Sequence, residues 1–235
     1  MKTIINGIIL KRIPFSETSL IVGVFTQQKG LKTYLFPGGK KKKSHTLQPL
    51  TLVELETYER PDSELGKISA IETDYVFQSL PFHPVKSGLA FFLAEFLASC
   101  LKSEDQDIQC FDFLTEEIQF LDNTSELGVY PSWFLLEFTQ YIGCTPHIID
   151  EPPNYLDLID GTLTSSKPYN HAYIHTTSVH WMHKLLTLPK EHALSLQIPK
   201  AERKILLNDL LTYYKYHVDG FKIPKSLEVL ETVWG

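Results

Sequence analysis

Three features of the sequence predict an α+β chain in two parts, a small N-terminal β-barrel and an all-α region after it. The hydrophobic period is close to 2 as far as about residue 80 and close to 3.6 after Pro81 and Pro84. Turn-forming clusters cut the first stretch into five short runs, the pattern of a closed barrel rather than of a helix-covered sheet. The chain has 235 residues, 43% of them hydrophobic, enough apolar side chain for two modest cores. The reading divides the chain into 1–80 and 81–235.

The five strands are expected over Thr3 to Ile13, Thr18 to Thr26, Leu31 to Phe36, Leu47 to Tyr58 and Leu65 to Phe77. Between them stand Pro14-Phe15-Ser16-Glu17, Gln28-Lys29-Gly30, a lysine-rich turn, and Arg60-Pro61-Asp62-Ser63. In the third strand, alternation places Leu31, Thr33 and Leu35 on one face and Lys32, Tyr34 and Phe36 on the other. A basic and aromatic face then leads into the turn. Barrels that track single strands combine such charges with aromatic rings on which bases stack, as an OB-fold does. The competing reading is that Tyr34 and Phe36 fill the barrel, which also needs aromatic volume.

The turn itself is Gly38-Gly39-Lys40-Lys41-Lys42-Lys43-Ser44. Ammonium groups are strongly hydrated, so this run belongs in solvent, where it suits the grip of phosphates. Its surroundings reinforce that. Residues 1–48 hold nine of the 22 basic residues and one of the 28 acidic ones, a charge of +8; the other 13 basic and 27 acidic residues give −14, and the two sum to the net −6. The basic first quarter, hidden by a pI near 5.8, points to a polyanion-binding face built from Lys11, Arg12, Lys29, Lys32, Lys40, Lys41, Lys42 and Lys43. The run is not a nucleotide-hydrolase phosphate loop, because Tyr34 and Lys41 stand where that motif needs Gly and Ser or Thr.

Helical spacing begins with Leu89, Leu93, Phe96, Leu97 and Cys100 and continues with Phe111, Leu114, Ile118 and Leu121. A third helix is expected over Trp133 to Tyr141. Loop-like text from Asp150 to Pro168 contains Asp160-Gly161, which suggests a hairpin within a small insertion at about 150–175. Helices resume at Ser178 to Leu188, Pro199 to Val218 and Leu227 to Trp234. Lys200, Arg203 and Lys204 are expected to rim an apolar groove near Leu207 and Tyr213, a candidate protein-partner surface in competition with a plain solvated face.

Enzymatic and membrane roles find little support. No Gly-x-Ser-x-Gly elbow occurs, Glu116-Glu117 are adjacent rather than facing, and Asp105 and Asp107 lie in a polar linker. No apolar stretch approaches the roughly 18 residues of a membrane span, and the first residues lack a signal-peptide core. Three cysteines without a CxxC indicate neither a disulfide framework nor a zinc module. A soluble cytoplasmic protein is expected.

A family resemblance rests on ordered pieces: Gly7-Ile8-Ile9-Leu10-Lys11-Arg12, Ser16 to Val22, Phe25-Thr26, Gly38-Gly39-Lys40, Leu47-Gln48-Pro49-Leu50, Ala94-Glu95-Phe96-Leu97, Phe134 to Glu137, Gly143-Cys144-Thr145-Pro146, Arg203 to Leu207, Tyr216-His217 and Lys225-Ser226-Leu227. Together they resemble the bacterial recombination mediators of the RecO family, over most of the chain. The resemblance implies an N-terminal OB-fold followed by a helical domain, nucleoid association, and no enzymatic turnover. It also implies binding of single- and double-stranded DNA, annealing of complementary strands, and cooperation with RecR in loading RecA onto DNA coated by single-stranded DNA-binding protein (SSB), whose acidic C-terminal tail the family contacts. The alternative reading is a protein-interaction adaptor that works through its helices and does not bind DNA.

The chain departs from the family at its metal site. Many members carry two CxxC pairs after the segment that ends here at Pro146, and this chain has none. Cys144, His147, His171 and His175 offer a substitute inventory, and His180 and His183 add a helical pair. The reading expects no cofactor, with the hairpin held instead by Tyr155, Leu156, Leu158 and Ile159.

Overall fold

A computed structural model describes residues 2–40, 44–59, 65–101 and 106–234. Strands β1 (Lys2–Pro14), β2 (Leu20–Thr26), β3 (Gly30–Phe36), β4 (Leu52–Tyr58) and β5 (Gly66–Thr73) close into a barrel of order β1-β2-β3-β5-β4. Closure depends on β1, which is long enough to pair with two neighbours. Its first half runs antiparallel to β4 from Lys2↔Tyr58 to Ile8↔Leu52, and its second half runs antiparallel to β2 from Gly7↔Thr26 to Pro14↔Leu20. A bulge between Ile9 and Lys11 bends the strand between these duties. Gly7 lies at the crossing, where a Cβ would stand 2.4 Å from Val24 Cγ1.

The barrel interior is filled by Ile5, Ile9, Leu20, Val22, Val24, Tyr34, Phe36, Val53, Leu55, Ile68 and Ile71, with Leu47 from a 3-10 turn over Ser44–Leu47. Register explains why Tyr34 and Phe36 point inward. Cross-strand partners share a face, and Val22↔Tyr34 and Leu20↔Phe36 tie the rings to the apolar side of β2. Tyr34 is 1% exposed, and its ring packs on Gly66, whose added Cβ would lie 2.7 Å from the ring.

Helix α1 (Pro84–Cys100) starts with proline at its first turn and His83 as its cap, and it buries Leu89, Phe92, Leu93, Phe96 and Leu97. Helix α2 (Ile108–Asn123) sets Phe111 against Phe25 of the barrel, with ring centroids 6.0 Å apart. The segment that enters α1 is fastened by Asp122, 2% exposed, whose carboxylate accepts from the backbone N–H groups of Gln78, Ser79 and Leu80 at 2.6–2.8 Å. Lys86 Nζ, on the first turn of α1, donates to the Asp122 backbone carbonyl at 2.7 Å. Burial alone would raise the Asp122 pKa, and the three backbone donors outweigh it to hold the carboxyl below the usual range.

The chain forms two compact units, one of residues 1–123 with 224–228, the other of 124–223 with 229–235. Helices α1 and α2 therefore belong to the barrel unit. The second unit contains α3 (Tyr130–Phe138), α4 (Thr177–Thr187), α5 (Lys190–Leu194), α6 (Lys200–His217) and most of α7 (Leu227–Trp234). Its interior holds Phe134, Phe138, Met182, Leu206, Leu210 and Tyr214, and the Tyr214 hydroxyl donates to the Leu135 carbonyl at 2.6 Å.

The insertion is more than a hairpin. Strands β6 (His147–Ile148), β7 (Tyr155–Asp157), β8 (Thr162–Thr164) and β9 (Tyr173–Ile174) form a sheet of order β6-β8-β7-β9. The expected β7–β8 hairpin is its centre. Leu156, Leu158, Leu163 and Ile174 are buried, whereas Ile159 is 51% exposed, so Ile159 is not among the residues that hold it. Two-residue strands carry too little periodicity for sequence reading to find them.

Candidate nucleic-acid interface

The basic residues of the first quarter do not share one continuous face. Lys11 and Arg12 are exposed on the second half of β1, where the Lys11 stem crosses Gly23 of β2. The strand then turns through Phe15 to Ser19, closed by Phe15 N–H donating to the Ser19 carbonyl at 3.1 Å. Lys40 N–H donates to the Thr18 carbonyl at 3.1 Å, so the start of the lysine turn is fastened to this β1–β2 turn. Lys40 thus lies at the β1–β2 turn, with Arg12 opposite Val22 on the way to it and Lys11 opposite Gly23, midway along β2. Lys41, Lys42 and Lys43 follow directly but lie outside the described residues.

Lys29 belongs to the other end of the β2–β3 hairpin, near Thr26 and Gly30, and Lys32, opposite Val24, lies one register step from Lys11 but on the other face of the strands. Lys29 Nζ lies 2.7 Å from Glu59 Oε2, and the Tyr34 hydroxyl donates to Glu59 Oε1 at 3.1 Å. Burial would raise the Glu59 pKa, but the Lys29 ammonium and the Tyr34 hydroxyl, with Lys32 nearby, lower it. The Lys29 charge is thereby engaged by this carboxylate. The Tyr34 hydroxyl is in turn pushed well above its ordinary pKa, chiefly by burial.

The expectation that Tyr34 and Phe36 stack bases is corrected, since both rings lie in the barrel core at 1% and 5% exposure. The aromatic side chain at the basic end is Phe15, 64% exposed. Sequence reading recognised its segment only as a turn. The available signal was a large apolar residue in a turn beside Lys11-Arg12, a place where burial offers it nothing.

In the helical unit, Lys200, Arg203 and Lys204 do border a groove, of about 390 Å³, completed by Ala201, Glu231 and Trp234. Leu207 and Tyr213 are not part of it. They are 0% and 1% exposed, because α6 enters the core from Leu206 onward, and the Tyr213 hydroxyl is spent on the Cys144 carbonyl at 2.7 Å. The apolar surface comes from α7 instead: the Arg203 guanidinium sits 5.2 Å from the Trp234 ring, and Lys204 Nζ is 2.7 Å from Glu231 Oε2. Trp234 Nε1 donates to the Leu127 carbonyl at 2.8 Å, which fixes the indole in place.

The substitute metal inventory does not converge. Among the described residues the only cluster of three metal-capable side chains is Asp157, Asp160 and His171, without Cys144, His147 or His175. That cluster is already satisfied internally: His171 Nδ1 meets Asp157 Oδ2 at 2.7 Å, and Asp157 Oδ1 accepts from the Ile159 and Asp160 N–H groups. His175 is bonded to the Asn154 carbonyl. These residues do not fit the zinc site expected of the family. Burial pushes the Cys110 thiol up to about 12 and the Cys144 thiol to about 11, so neither is poised as a thiolate ligand or nucleophile.

The closed barrel, its basic end and the helices after it define an OB-fold protein with a helical C-terminal region. Comparison with known proteins gives the family. The description "Recombination protein O N terminal" matches residues 1–77 and "Recombination protein O C terminal" matches residues 82–227. DNA repair protein RecO of Flavobacterium psychrophilum is 31% identical, the match covering 97% of this chain and 98% of that protein. DNA repair protein RecO of Bacteroides fragilis is also 31% identical, covering 97% of each chain. The more distant DNA repair protein RecO of Porphyromonas gingivalis is 21% identical over a similar span. The chain belongs to the RecO family of DNA repair proteins. The family division at 77/82 falls before α1, whereas the compact units divide after α2. No helix among the described residues is long and apolar enough to cross a membrane.

Proposed function

We propose that this protein is a non-enzymatic, cofactor-free recombination mediator of the bacterial nucleoid that binds single- and double-stranded DNA at the basic end of its barrel. The observation that carries this reading is that the exposed Lys11 and Arg12 lead along β1 into the turn that exposes Phe15, to which Lys40 is fastened where the lysine run begins. Phosphates are held by the cations, and an unpaired base stacks on the ring. Nothing in such a site reads base identity. Annealing needs none, because once two phosphate chains are neutralised base pairing supplies the selectivity.

Family membership supports the further steps, in which the protein acts with RecR to promote RecA loading on DNA coated by single-stranded DNA-binding protein. The groove of Lys200, Arg203, Lys204 and Trp234 has the chemistry for that protein's acidic, apolar-ended tail: cations for the carboxylates and an indole for the apolar end.

The test is annealing of complementary single strands at several salt concentrations, by the native protein and by a variant with Lys40, Lys41, Lys42 and Lys43 changed to alanine. The native protein accelerates annealing without cutting DNA, with or without divalent ions. If all four lysines contact phosphates, the variant's slope of log affinity on log salt is shallower by about 3. A native protein that neither binds nor anneals DNA would overturn the reading in favour of a helical adaptor.

A further inference from the structure

One face of the small sheet carries aromatic rings that reach solvent beside the buried Asp157. Strand alternation sends Leu156, Leu163 and Ile174 into the helical unit and leaves Tyr155 and Tyr173 on the opposite face, with His175 next in line after Ile174. On that face the rings form a continuous row. His175 stacks on Tyr155 with centroids 4.4 Å apart and planes at 19°, and Tyr155 meets Tyr173 edge-on at 5.5 Å. The Lys167 ammonium lies over one face of the Tyr173 ring, 5.3 Å from its centroid, and leaves the other face for a base. Tyr173 is 37% exposed, His175 and Lys167 are exposed, and Tyr155 is half-buried.

The geometry points to a second DNA-contact surface in the helical unit: a base-stacking platform for single-stranded DNA made by His175, Tyr155 and Tyr173, with Lys167 for the phosphate chain. Rings on adjacent strands of an open four-stranded sheet offer π-faces to unpaired bases, the principle by which several sheet domains hold single strands. Duplex bases are stacked on one another and cannot use such a platform, so its effect is confined to single strands. The structural alternative is that the rings only stabilise a small sheet as cross-strand pairs. An aliphatic replacement separates the two, since it keeps the apolar cover and removes the π-face.

This inference rests on DNA being the ligand, but not on which barrel residues hold it. The experiment measures binding of the full-length native protein, Tyr173→Leu, Tyr173→Phe and the double variant Tyr173→Leu/His175→Ala to an oligothymidylate and to a duplex. Tyr173→Leu is expected to weaken oligothymidylate binding about tenfold, the loss of one stacked base. Tyr173→Phe stays within about twofold of native, duplex affinity is unchanged, and the salt slope is unchanged because no phosphate contact is removed. If the native protein binds both DNAs and the double variant keeps its single-strand affinity within about twofold, the platform alone is overturned. Equal losses in Tyr173→Leu and Tyr173→Phe would also overturn it, since the ring would not be the binding group. A native protein that binds neither DNA overturns the proposed function together with the platform.

Discussion

Replacing Phe15 by alanine separates the structure from the sequence pattern most sharply. The side chain is 64% exposed in a turn held by backbone hydrogen bonds from Phe15 and Ser16 to Ser19, none of which involves the ring. Truncation therefore costs stability little, within about 0.5 kcal/mol as for other exposed positions. In binding, it removes the aromatic ring at the basic end. One base stacked on such a ring contributes about 1–3 kcal/mol, or roughly 5-fold to 150-fold in affinity. Fluorescence anisotropy with a labelled oligothymidylate reads the change directly, and a thermal melt of the same sample checks the fold. The salt slope should match the native protein, because Lys11, Arg12 and Lys40 are untouched. An affinity within twofold of native, with an unchanged melt, would refute the assignment of stacking to Phe15.

The other expectations concern the supports of the two sites. Asp122→Ala leaves the backbone N–H of Leu80 buried without its acceptor and those of Gln78 and Ser79 without theirs, at a cost of about 1–3 kcal/mol read from urea unfolding. Because the folded Asp122 pKa is depressed, its contribution is present above the unfolded value of about 3.9 and fades as pH falls through the lower folded value; the native protein should lose this stability in acid and the variant should not. Gly66→Ala drives a Cβ against the Tyr34 ring, so the variant should lose about 1–3 kcal/mol and expose the tyrosine to quencher. Glu231→Gln frees Lys204 in the α6–α7 groove, and affinity for an acidic peptide with an apolar end should rise up to about fivefold by isothermal calorimetry, the scale of one exposed ion pair.

Several features are legible in the sequence. The five strand segments, although the fourth begins at Leu52 rather than Leu47, the change of period near Pro81 and the helices read at Leu89 to Cys100, Phe111 to Leu121, Pro199 to Val218 and Leu227 to Trp234 follow from local patterns that survive in the folded chain. The basic first quarter is likewise a property of composition. Other features needed the closed barrel. Alternation in β3 allowed either face to be inside, and the choice was made by the β2 register, which sets Val22 and Leu20 opposite Tyr34 and Phe36. The lysines looked like one face because they are close in sequence, yet the hairpin carries Lys29 toward Glu59 and Lys40 to Thr18 at opposite ends. The same holds for Leu207 and Trp234, since helical spacing placed Leu207 near Arg203 while the α6–α7 packing supplied the indole. Sequence by itself determined which segments are strands and helices and where the charge is concentrated, because period, turn chemistry and composition act over a few residues. Which side chains meet, and which of two equivalent faces meets water, was decided only by tertiary structure, because pairing between separate segments selects among arrangements that are locally indistinguishable.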